Sequence, residues 1–154
     1  MQPQKIRILV LCTGNSARSQ MGEGLFRHEG GGAYEVESAG TNPSHVRPEA
    51  IAVMKEIGID ISGHRSKSVS EFDGRRFDYV VTVCDRARDV CPVFPAGTAR
   101  VHWSFPDPAA VEGSQEERLA AFRSVRDRIR EKVRSFLQGV SVSSPDSSQA
   151  AKRA

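Results

Sequence analysis

The chain has 154 residues, of which 38% are hydrophobic and 27% are charged, and a formal net charge of +3 at pH 7. This length fits a single globular domain, predicted over residues 1–139, and no apolar run approaches the ~20 residues of a membrane span. Basic residues are interspersed with acidic ones and no secretory signal precedes the first strand, so we expect a cytoplasmic protein that binds neither nucleic acid nor membrane.

Strand-like and helix-like stretches alternate along the chain. Strands are predicted at Lys5–Leu11, Tyr34–Ser38, Phe77–Val83 and Val101–Phe105, and helices at Arg18–Glu29, Pro48–Ile57 and Glu116–Gln138. This alternation predicts an α/β fold with a parallel sheet and helices on both faces. The last residues are rich in Ser, Ala, Gln and charged side chains, which predicts a disordered tail over residues 140–154.

The loop after the first strand runs from Cys12 to Ser19 and reads Cys-Thr-Gly-Asn-Ser-Ala-Arg-Ser. Backbone N–H groups at a helix N-terminus bind anions, and the guanidinium of Arg18 can hold two oxygens at once. The positive electrostatic potential of these N–H groups and of Arg18 also stabilises a thiolate on Cys12. Ser19 can donate a hydrogen bond to that thiolate. We therefore predict an oxyanion site with a cysteine nucleophile. The residues predicted to surround the anion are Thr13, Gly14, Asn15, Ser16, Ala17 and Arg18.

Two other interpretations of this loop are weaker. A lone cysteine at the end of a buried strand is most often a small apolar residue, but here it coincides with Arg18 and a strand-to-helix turn. A nucleotide-binding P-loop needs a Gly-Lys-Ser/Thr sequence that is missing. Gly14 and Asn15 both tolerate the positive φ that a tight turn requires.

Two further segments follow predicted strands and are therefore expected to meet the Cys12 loop at the carboxyl edge of the sheet. One lies between Cys84 and Cys91, whose spacing does not match a zinc site, and we predict no metal there. The other carries Asp107 between two prolines, where a carboxyl held over Cys12 can act as a general acid. An Asp-Pro turn ahead of a helix is the alternative interpretation of Asp107. Three cysteines in a cytosolic chain favour catalysis or redox exchange over structural disulfides.

These features resemble the low-molecular-weight protein tyrosine phosphatase family and, within it, the thioredoxin-coupled arsenate reductases. The motifs that carry the resemblance are Cys-Thr-Gly-Asn-Ser-x-Arg-Ser-Gln-Met at 12–21, Val-Thr-Val-Cys at 81–84, Cys-Pro at 91–92, His-Trp at 102–103 and Asp-Pro-Ala at 107–109. The resemblance covers about residues 5–138. It implies a flavodoxin-like, three-layer fold with a four-stranded parallel sheet, and reduction of arsenate to arsenite for arsenic detoxification. Ala17 replaces a cysteine that is frequent in the family but has no role in this chemistry.

The resemblance also implies a relay of three cysteines. Cys12 attacks arsenate while Asp107 protonates the departing oxygen, and Cys84 then attacks the sulfur of Cys12 so that arsenite leaves and a disulfide forms. Cys91 moves this disulfide to Cys84–Cys91, where thioredoxin or a similar dithiol reduces it. In a continuous helix these two cysteines would be about 10 Å apart, beyond the ~7 Å Cα limit of a disulfide. The segment Asp85–Val90 therefore has to loop or unwind.

The chain departs from the family at a potassium site. In related reductases a potassium ion supports the nucleophile loop through residues that match Asn15, Glu23 and Ser38, but the two remaining positions here are Arg65 and Lys67. Their positive charges would repel a cation. We therefore expect no cofactor, and a pairing of Glu23 with either Lys67 or Arg65 in place of the ion.

Three other functions stay open at this point. A tyrosine phosphatase of the same fold needs only Cys12, Arg18 and Asp107, although Ala109 and Ala110 offer no ring packing for a phosphotyrosine. A second alternative is a reductase that passes its arsenic adduct to a small thiol, and a third is a non-catalytic oxyanion sensor. For the reductase we expect a monomer with a weak phosphatase side activity.

Overall fold

The computed structural model describes residues 5–89, 94 and 97–141. Its strands are β1 (Ile6–Cys12), β2 (Tyr34–Gly40), β3 (Tyr79–Thr82) and β4 (Ala99–His102), and its helices are α1 (Arg18–Gly30), α2 (Pro48–Lys55), α3 (Asp85–Asp89) and α4 (Gln115–Ser141). Short 3₁₀ turns lie at Gly31–Ala33, Val69–Phe72 and Pro108–Ala110. The strands form one parallel sheet in the order β2-β1-β3-β4.

The strand order determines which face of the sheet each helix covers. The connection from β1 to β2 runs in one direction across the sheet, and the connection from β3 to β4 runs in the other. Since such crossovers are right-handed, α1 and α3 lie on opposite faces. The predicted flavodoxin-like α/β fold, with a four-stranded parallel sheet and helices on both faces, is confirmed.

Aromatic side chains fill the core on both sides of the sheet. On the side of α1 and α4, the ring of Phe26 lies 5.9 Å from Trp103 and 5.8 Å from Phe136. The rings of Phe72 and Phe77 pack edge to face at 5.8 Å in a separate cluster. Helix α4 buries the apolar face that its periodicity predicts, through Phe122, Val125, Ile129, Val133 and Phe136. This packing fixes α1 and the loop that precedes it against the sheet.

Several element boundaries differ from the sequence prediction. Strand β4 was expected at Val101–Phe105 but pairs with β3 only over Ala99–His102. Trp103 and Phe105 are buried beyond the end of the strand, so their apolar character reflects packing on the helices and not strand pairing. Helix α3 has no counterpart in the prediction, because five mostly charged residues carry no helical periodicity.

The remaining differences are smaller. Strand β3 is shorter than predicted, β1 and β2 extend to Cys12 and Gly40, and α2 ends at Lys55 before a turn. Helix α4 continues past the predicted end at Gln138. Residues 142–154 lie outside the described residues, and the domain division at residue 140 stays a prediction. Among the described helices, none has the length and apolar composition needed to cross a bilayer.

Candidate active site

The loop between β1 and α1 is held in place from outside by the segment after β2. Backbone N–H groups of that segment donate to carbonyls of the loop: Thr41 to Cys12 at 3.2 Å, Asn42 to Thr13 at 2.8 Å, Ser44 to Gly14 at 3.0 Å and Arg47 to Ser16 at 2.9 Å. Because these carbonyls are bonded on the outer side of the loop, its N–H groups are available to an anion at the centre.

The backbone of the loop turns at Asn15. This residue has a φ of 48°, in the left-handed region that asparagine tolerates better than most residues. Gly14, the other residue expected to allow a positive φ, does not adopt one. Arg18 is the first residue of α1, so its side chain lies at the edge of the loop.

Cys12 ends β1 and is buried, with 2% of its surface exposed. Its Sγ lies 2.9 Å from the hydroxyl of Ser19, and that hydroxyl accepts a hydrogen bond from Nδ2 of Asn15 at 2.7 Å. The amide orientation of Asn15 is fixed, because its Oδ1 accepts from the backbone N–H of Lys67 at 2.8 Å. The predicted contact between Ser19 and Cys12 is therefore present in the structure.

A buried polar network continues from Asn15 into the protein. Its Nδ2 also donates to the hydroxyl of Ser38 at 3.0 Å, and that hydroxyl donates to Oε1 of Glu23 at 2.5 Å. Glu23 is itself 2% exposed. Its Oε2 lies 2.8 Å from the guanidinium of Arg27, and its Oε1 lies 3.9 Å from Nζ of Lys67.

Arg18 and Asp107 meet at the mouth of the loop. One guanidinium nitrogen of Arg18 donates to the carbonyl of Phe105 at 3.0 Å, and another lies 4.0 Å from Oδ2 of Asp107. The other carboxylate oxygen of Asp107 accepts from the backbone N–H of Ala109 at 3.0 Å. This contact caps the 3₁₀ turn Pro108–Ala110 and fixes the carboxyl beside Arg18.

Cys84 also reaches the site. It follows β3, is 5% exposed, and its Sγ lies 3.4 Å from the hydroxyl of Thr13 in the anion loop. Both Cys12 and Cys84 are free thiols. Cys91 and Pro92 lie outside the described residues, so the position of the third cysteine stays a prediction.

Helix α3 begins directly after Cys84 and is tied to β4. Oδ1 of Asp85 lies 2.8 Å from Nε2 of His102, whose Nδ1 lies 2.7 Å from the hydroxyl of Thr82. Hydrogen bonds from His102 and then Ser104 lower the pKa of Asp85 below its usual 3.8. The first residues of the segment predicted to unwind are therefore helical here, and their hydrogen bonds to β4 have to open if the helix unwinds.

The three predicted segments meet at the sheet edge as far as they are described: Cys84 reaches the loop at Thr13, and Asp107 reaches it at Arg18. A buried cysteine in a strand-to-helix loop, an arginine at the rim of that loop and a carboxyl beside the arginine form one site. The family model described as low molecular weight phosphotyrosine protein phosphatase matches residues 7–145. The chain belongs to this phosphatase family.

Known members of the phosphatase family that are similar to this chain include arsenate reductases. The arsenate reductase of Halalkalibacterium halodurans is 47% identical over 131 residues, which span 85% of this chain and 94% of that protein. The solved structure of an arsenate reductase in the phosphate binding state has a TM-score of 0.71 at 32% identity, covering 86% of this chain and 97% of the other. The thioredoxin-dependent arsenate reductase of Corynebacterium glutamicum has a TM-score of 0.73 at 26% identity, covering 94% of this chain and 66% of the other.

Several residues that support the phosphatase-family loop were not predicted from the sequence. The side chain of Gln20 is fully buried, and its Nε2 donates to the carbonyls of Asn15 and Arg65, each at 3.0 Å. The hydroxyl of Ser66 donates to the carbonyl of Gly14 at 2.9 Å. Ser66 comes from a distant part of the chain, and no local pattern marks it as a support of the loop.

Gly40 is a further residue beside the loop that the sequence did not single out. It lies opposite Cys12 in the β1–β2 register, and a Cβ built there would lie 2.5 Å from the carbonyl oxygen of Thr13 and 3.0 Å from the backbone nitrogen of Asn15. Only glycine permits this approach of the backbone to the loop.

Proposed function

We propose that this protein reduces arsenate to arsenite through a relay of three cysteines. The observation that carries the proposal is the position of Cys84, whose Sγ lies 3.4 Å from Thr13 in the loop that presents Cys12. A phosphatase needs only the anion loop, Arg18 and Asp107. A second thiol beside the nucleophile supports a redox outcome, and the names of the similar arsenate reductases support arsenate as the substrate.

The first step is nucleophilic attack on a bound oxyanion. Arsenate is tetrahedral and anionic like phosphate, so the loop N–H groups of Thr13 to Ala17 and the guanidinium of Arg18 hold its oxygens. The thiolate of Cys12 attacks arsenic and forms an S–As bond. One hydroxyl group of the bound arsenate leaves as water after accepting a proton from Asp107. The product is an arsenic(V) adduct on Cys12.

The second step transfers two electrons to arsenic. The thiolate of Cys84 attacks Sγ of Cys12, so that an S–S bond forms and the S–As bond breaks. The electron pair of that bond stays on arsenic, which leaves as arsenite, arsenic(III). The two sulfur atoms together lose two electrons, and arsenic gains them.

The third step returns the nucleophile to its reduced form. Cys91 attacks Sγ of Cys84, Cys12 leaves as a thiolate, and a Cys84–Cys91 disulfide remains. A dithiol of the thioredoxin class then supplies two electrons, as the name of the Corynebacterium glutamicum protein indicates for that protein. Helix α3 has to unwind for this disulfide to close, which breaks the Asp85–His102 contact.

The proposed setting follows from this chemistry. The reaction needs a reducing compartment, so we place it in the cytoplasm, where thioredoxin keeps thiols reduced. Every proposed step uses side chains of one subunit, so a monomer suffices. The relay needs neither a metal nor an organic cofactor, because sulfur carries the electrons.

The test is a stoichiometry experiment with arsenate, thioredoxin, thioredoxin reductase and NADPH. We expect continuous NADPH consumption with the wild type. In Cys91→Ser, one arsenite per enzyme forms and turnover then stops at the Cys12–Cys84 disulfide. In Cys84→Ser, no arsenite forms, since nothing attacks the adduct. Sustained arsenite formation in Cys84→Ser would assign the second step to another thiol, and in Cys91→Ser it would mean that thioredoxin reduces the Cys12–Cys84 disulfide directly. Either result would overturn the relay.

A tyrosine phosphatase is the second candidate, because Cys12, Arg18 and Asp107 are arranged for attack on any tetrahedral oxyanion. We expect weak hydrolysis of para-nitrophenyl phosphate as a side activity of the same attack step. Ala109 and Ala110, on the 3₁₀ turn beside Asp107, provide no aromatic surface for a phosphotyrosine ring. Hydrolysis of this ester without any arsenate reduction would make the protein a phosphatase.

A further inference from the structure

Lys67 is a buried lysine with an acidic neighbour. Its side chain is 8% exposed and that of Glu23 is 3% exposed, and Nζ of Lys67 lies 3.9 Å from Oε1 of Glu23. The same Nζ lies 3.4 Å from the carbonyl oxygen of Arg65. Lysine is almost never buried unless its charge is compensated, so this position needs an explanation.

Arg65, the other cation that the sequence placed near this site, points elsewhere. Its guanidinium binds Glu71 on the surface, with the nearest contact at 2.7 Å and 66% of the arginine side chain exposed. Arg27 also contacts Glu23, but 48% of its side chain is exposed. Among the described lysine and arginine residues, Lys67 is therefore the buried one that faces Glu23. The imidazole of His64 also lies 3.8 Å from Oε1 of Glu23, but burial lowers its pKa and so disfavours its charged form.

A short chain of contacts joins this charge pair to the nucleophile. Glu23 accepts from the hydroxyl of Ser38, which accepts from the amide of Asn15. The same amide donates to Ser19, which contacts Cys12. Moreover, the backbone N–H of Lys67 donates to the other end of the Asn15 amide. Both the side chain and the backbone of Lys67 thus act on the orientation of Asn15.

A free potassium ion does not fit this site. Such an ion requires several oxygen ligands in direct contact, and here the ammonium group already lies against the carbonyl of Arg65 and near the carboxylate of Glu23. An added cation would be repelled at close range by Nζ of Lys67.

We propose that the ammonium group of Lys67 is a covalently tethered cation that positions the nucleophile loop, and that the protein needs no monovalent metal ion for this purpose. Lys67 is a positioning residue, since it acts on Cys12 through Glu23, Ser38, Asn15 and Ser19. A shorter side chain in its place leaves the buried carboxylate of Glu23 and the carbonyl oxygen of Arg65 beside a space of ammonium size. Potassium and ammonium ions are close to that size, so the shortened variant acquires a monovalent-cation site.

The experiment that tests the role of Lys67 uses no arsenate. Wild type, Lys67→Ser and Lys67→Gln are compared in potassium, ammonium, sodium and choline chloride at equal ionic strength. Two quantities are measured in each salt: the melting temperature, and the rate at which iodoacetamide alkylates Cys12, followed by mass spectrometry of the Cys12 peptide. Arg65→Ala is the matched control, because it removes a neighbouring positive charge without opening the buried site.

In choline chloride, Lys67→Ser melts about 5–10 °C below the wild type, since a buried carboxylate loses its buried partner. Its Cys12 alkylation rate changes by about fivefold, a coupling typical of residues in one network. Potassium and ammonium restore both quantities, and sodium restores them less. Lys67→Gln shows the same losses with no recovery, because the longer amide side chain fills the space. The wild type and Arg65→Ala show no difference between potassium and choline.

Two results would overturn the inference. One is a wild type that potassium stabilises, or whose Cys12 rate potassium changes, relative to sodium; this measurement needs no variant and holds even if Lys67→Ser does not fold. The other is a folded Lys67→Ser that behaves identically in all four salts. Neither result bears on arsenate reduction, so the failure of this inference and the failure of the proposed function are distinguishable.

Discussion

Nδ2 of Asn15 and the hydroxyl of Ser19 lie 2.7 Å apart, and this contact determines where the proton of Ser19 points. The amide group of Asn15 has two hydrogens, one directed to Ser19 and one to Ser38. The oxygen of Ser19 therefore accepts from Asn15, and its own proton is directed to Sγ of Cys12 at 2.9 Å. A donor aimed at the sulfur stabilises the thiolate form of Cys12, which is the form that the proposed attack on the oxyanion requires.

Replacing Ser19 by alanine removes this donor. A hydrogen bond to a charged group contributes about 1.5–3 kcal/mol, so we expect Ser19→Ala to lower the turnover of arsenate by about 10- to 100-fold. Steady-state rates at saturating arsenate measure this. Ser124→Ala, which removes an exposed hydroxyl from α4, is the control. Unchanged turnover in Ser19→Ala would show that the thiolate does not depend on this hydrogen bond.

Replacing Asp107 by asparagine separates its chemical role from its structural one. Asparagine retains the oxygen that accepts from Ala109, so the cap of the 3₁₀ turn and the melting temperature are preserved. It cannot supply a proton to the leaving oxygen, and we expect turnover to fall by about 10²- to 10⁴-fold.

The leaving group distinguishes the two roles of Asp107. Phenyl phosphate releases a basic phenolate that needs a proton, whereas para-nitrophenyl phosphate releases a much weaker base. We expect Asp107→Asn to impair hydrolysis of the phenyl ester more than that of the nitrophenyl ester. An equal loss on both esters would mean that Asp107 acts by positioning Arg18 and not as an acid.

Gly40 leaves space for the backbone of the anion loop that any larger residue would occupy. In Gly40→Ala the new methyl group would meet the carbonyl of Thr13 at 2.5 Å, which forces the loop away from its position. Overpacking of this kind costs about 1–3 kcal/mol, so we expect a melting temperature lower by about 2–10 °C, together with weaker arsenate binding. Gly63→Ala is the matched control, because a Cβ at that exposed glycine contacts nothing within 4 Å. Similar melting temperatures and arsenate affinities in the two variants would contradict this account.

His64 makes the stability of the protein depend on pH. Burial lowers the pKa of His64 from its usual 6.5, and the charges of Arg27 and Lys67 lower it further, against the opposing effect of Glu23. The folded state therefore binds a proton less readily than the unfolded state. It follows that stability is highest above pH 6.5 and decreases as the pH falls below that value.

The measurement for His64 is the melting temperature between pH 5.5 and 8. We expect the wild type to lose stability toward pH 5.5 and His64→Gln to lose less, since an amide does not titrate. Nδ1 of His64 lies 3.0 Å from Oε1 of Gln20, and glutamine can donate to the same oxygen, which makes it a conservative replacement. Identical pH profiles for the two proteins would exclude His64 as the source of the decrease.

The contacts within the anion loop were predictable because they are local. The thiol of Cys12, the hydroxyl of Ser19 and the guanidinium of Arg18 are all carried by one strand-loop-helix unit, whose type the sequence pattern indicates. The alternation of strands and helices was sufficient to predict that Cys84 and Asp107 reach the same edge of the sheet.

The support of the loop was not predictable in the same way. The contact between Lys67 and Asn15 and the contact between Ser66 and Gly14 each join residues 52 positions apart. The sequence placed both Arg65 and Lys67 near Glu23 but could not select between them. Side-chain direction selects Lys67, because the side chain of Arg65 lies on the surface against Glu71 whereas that of Lys67 is buried beside Glu23.

The sequence by itself thus determined the fold class and the grouping of Cys12, Arg18 and Ser19 in one strand-loop-helix unit, since these depend on patterns within and between neighbouring elements. Only the tertiary structure decided that Lys67, and not Arg65, is buried beside Glu23 and that Gly40 lies against the loop. The physical reason is that burial and hydrogen-bond direction depend on which distant segments pack together. That packing is fixed by the register of β1 and β2 and by the path of the chain after β2.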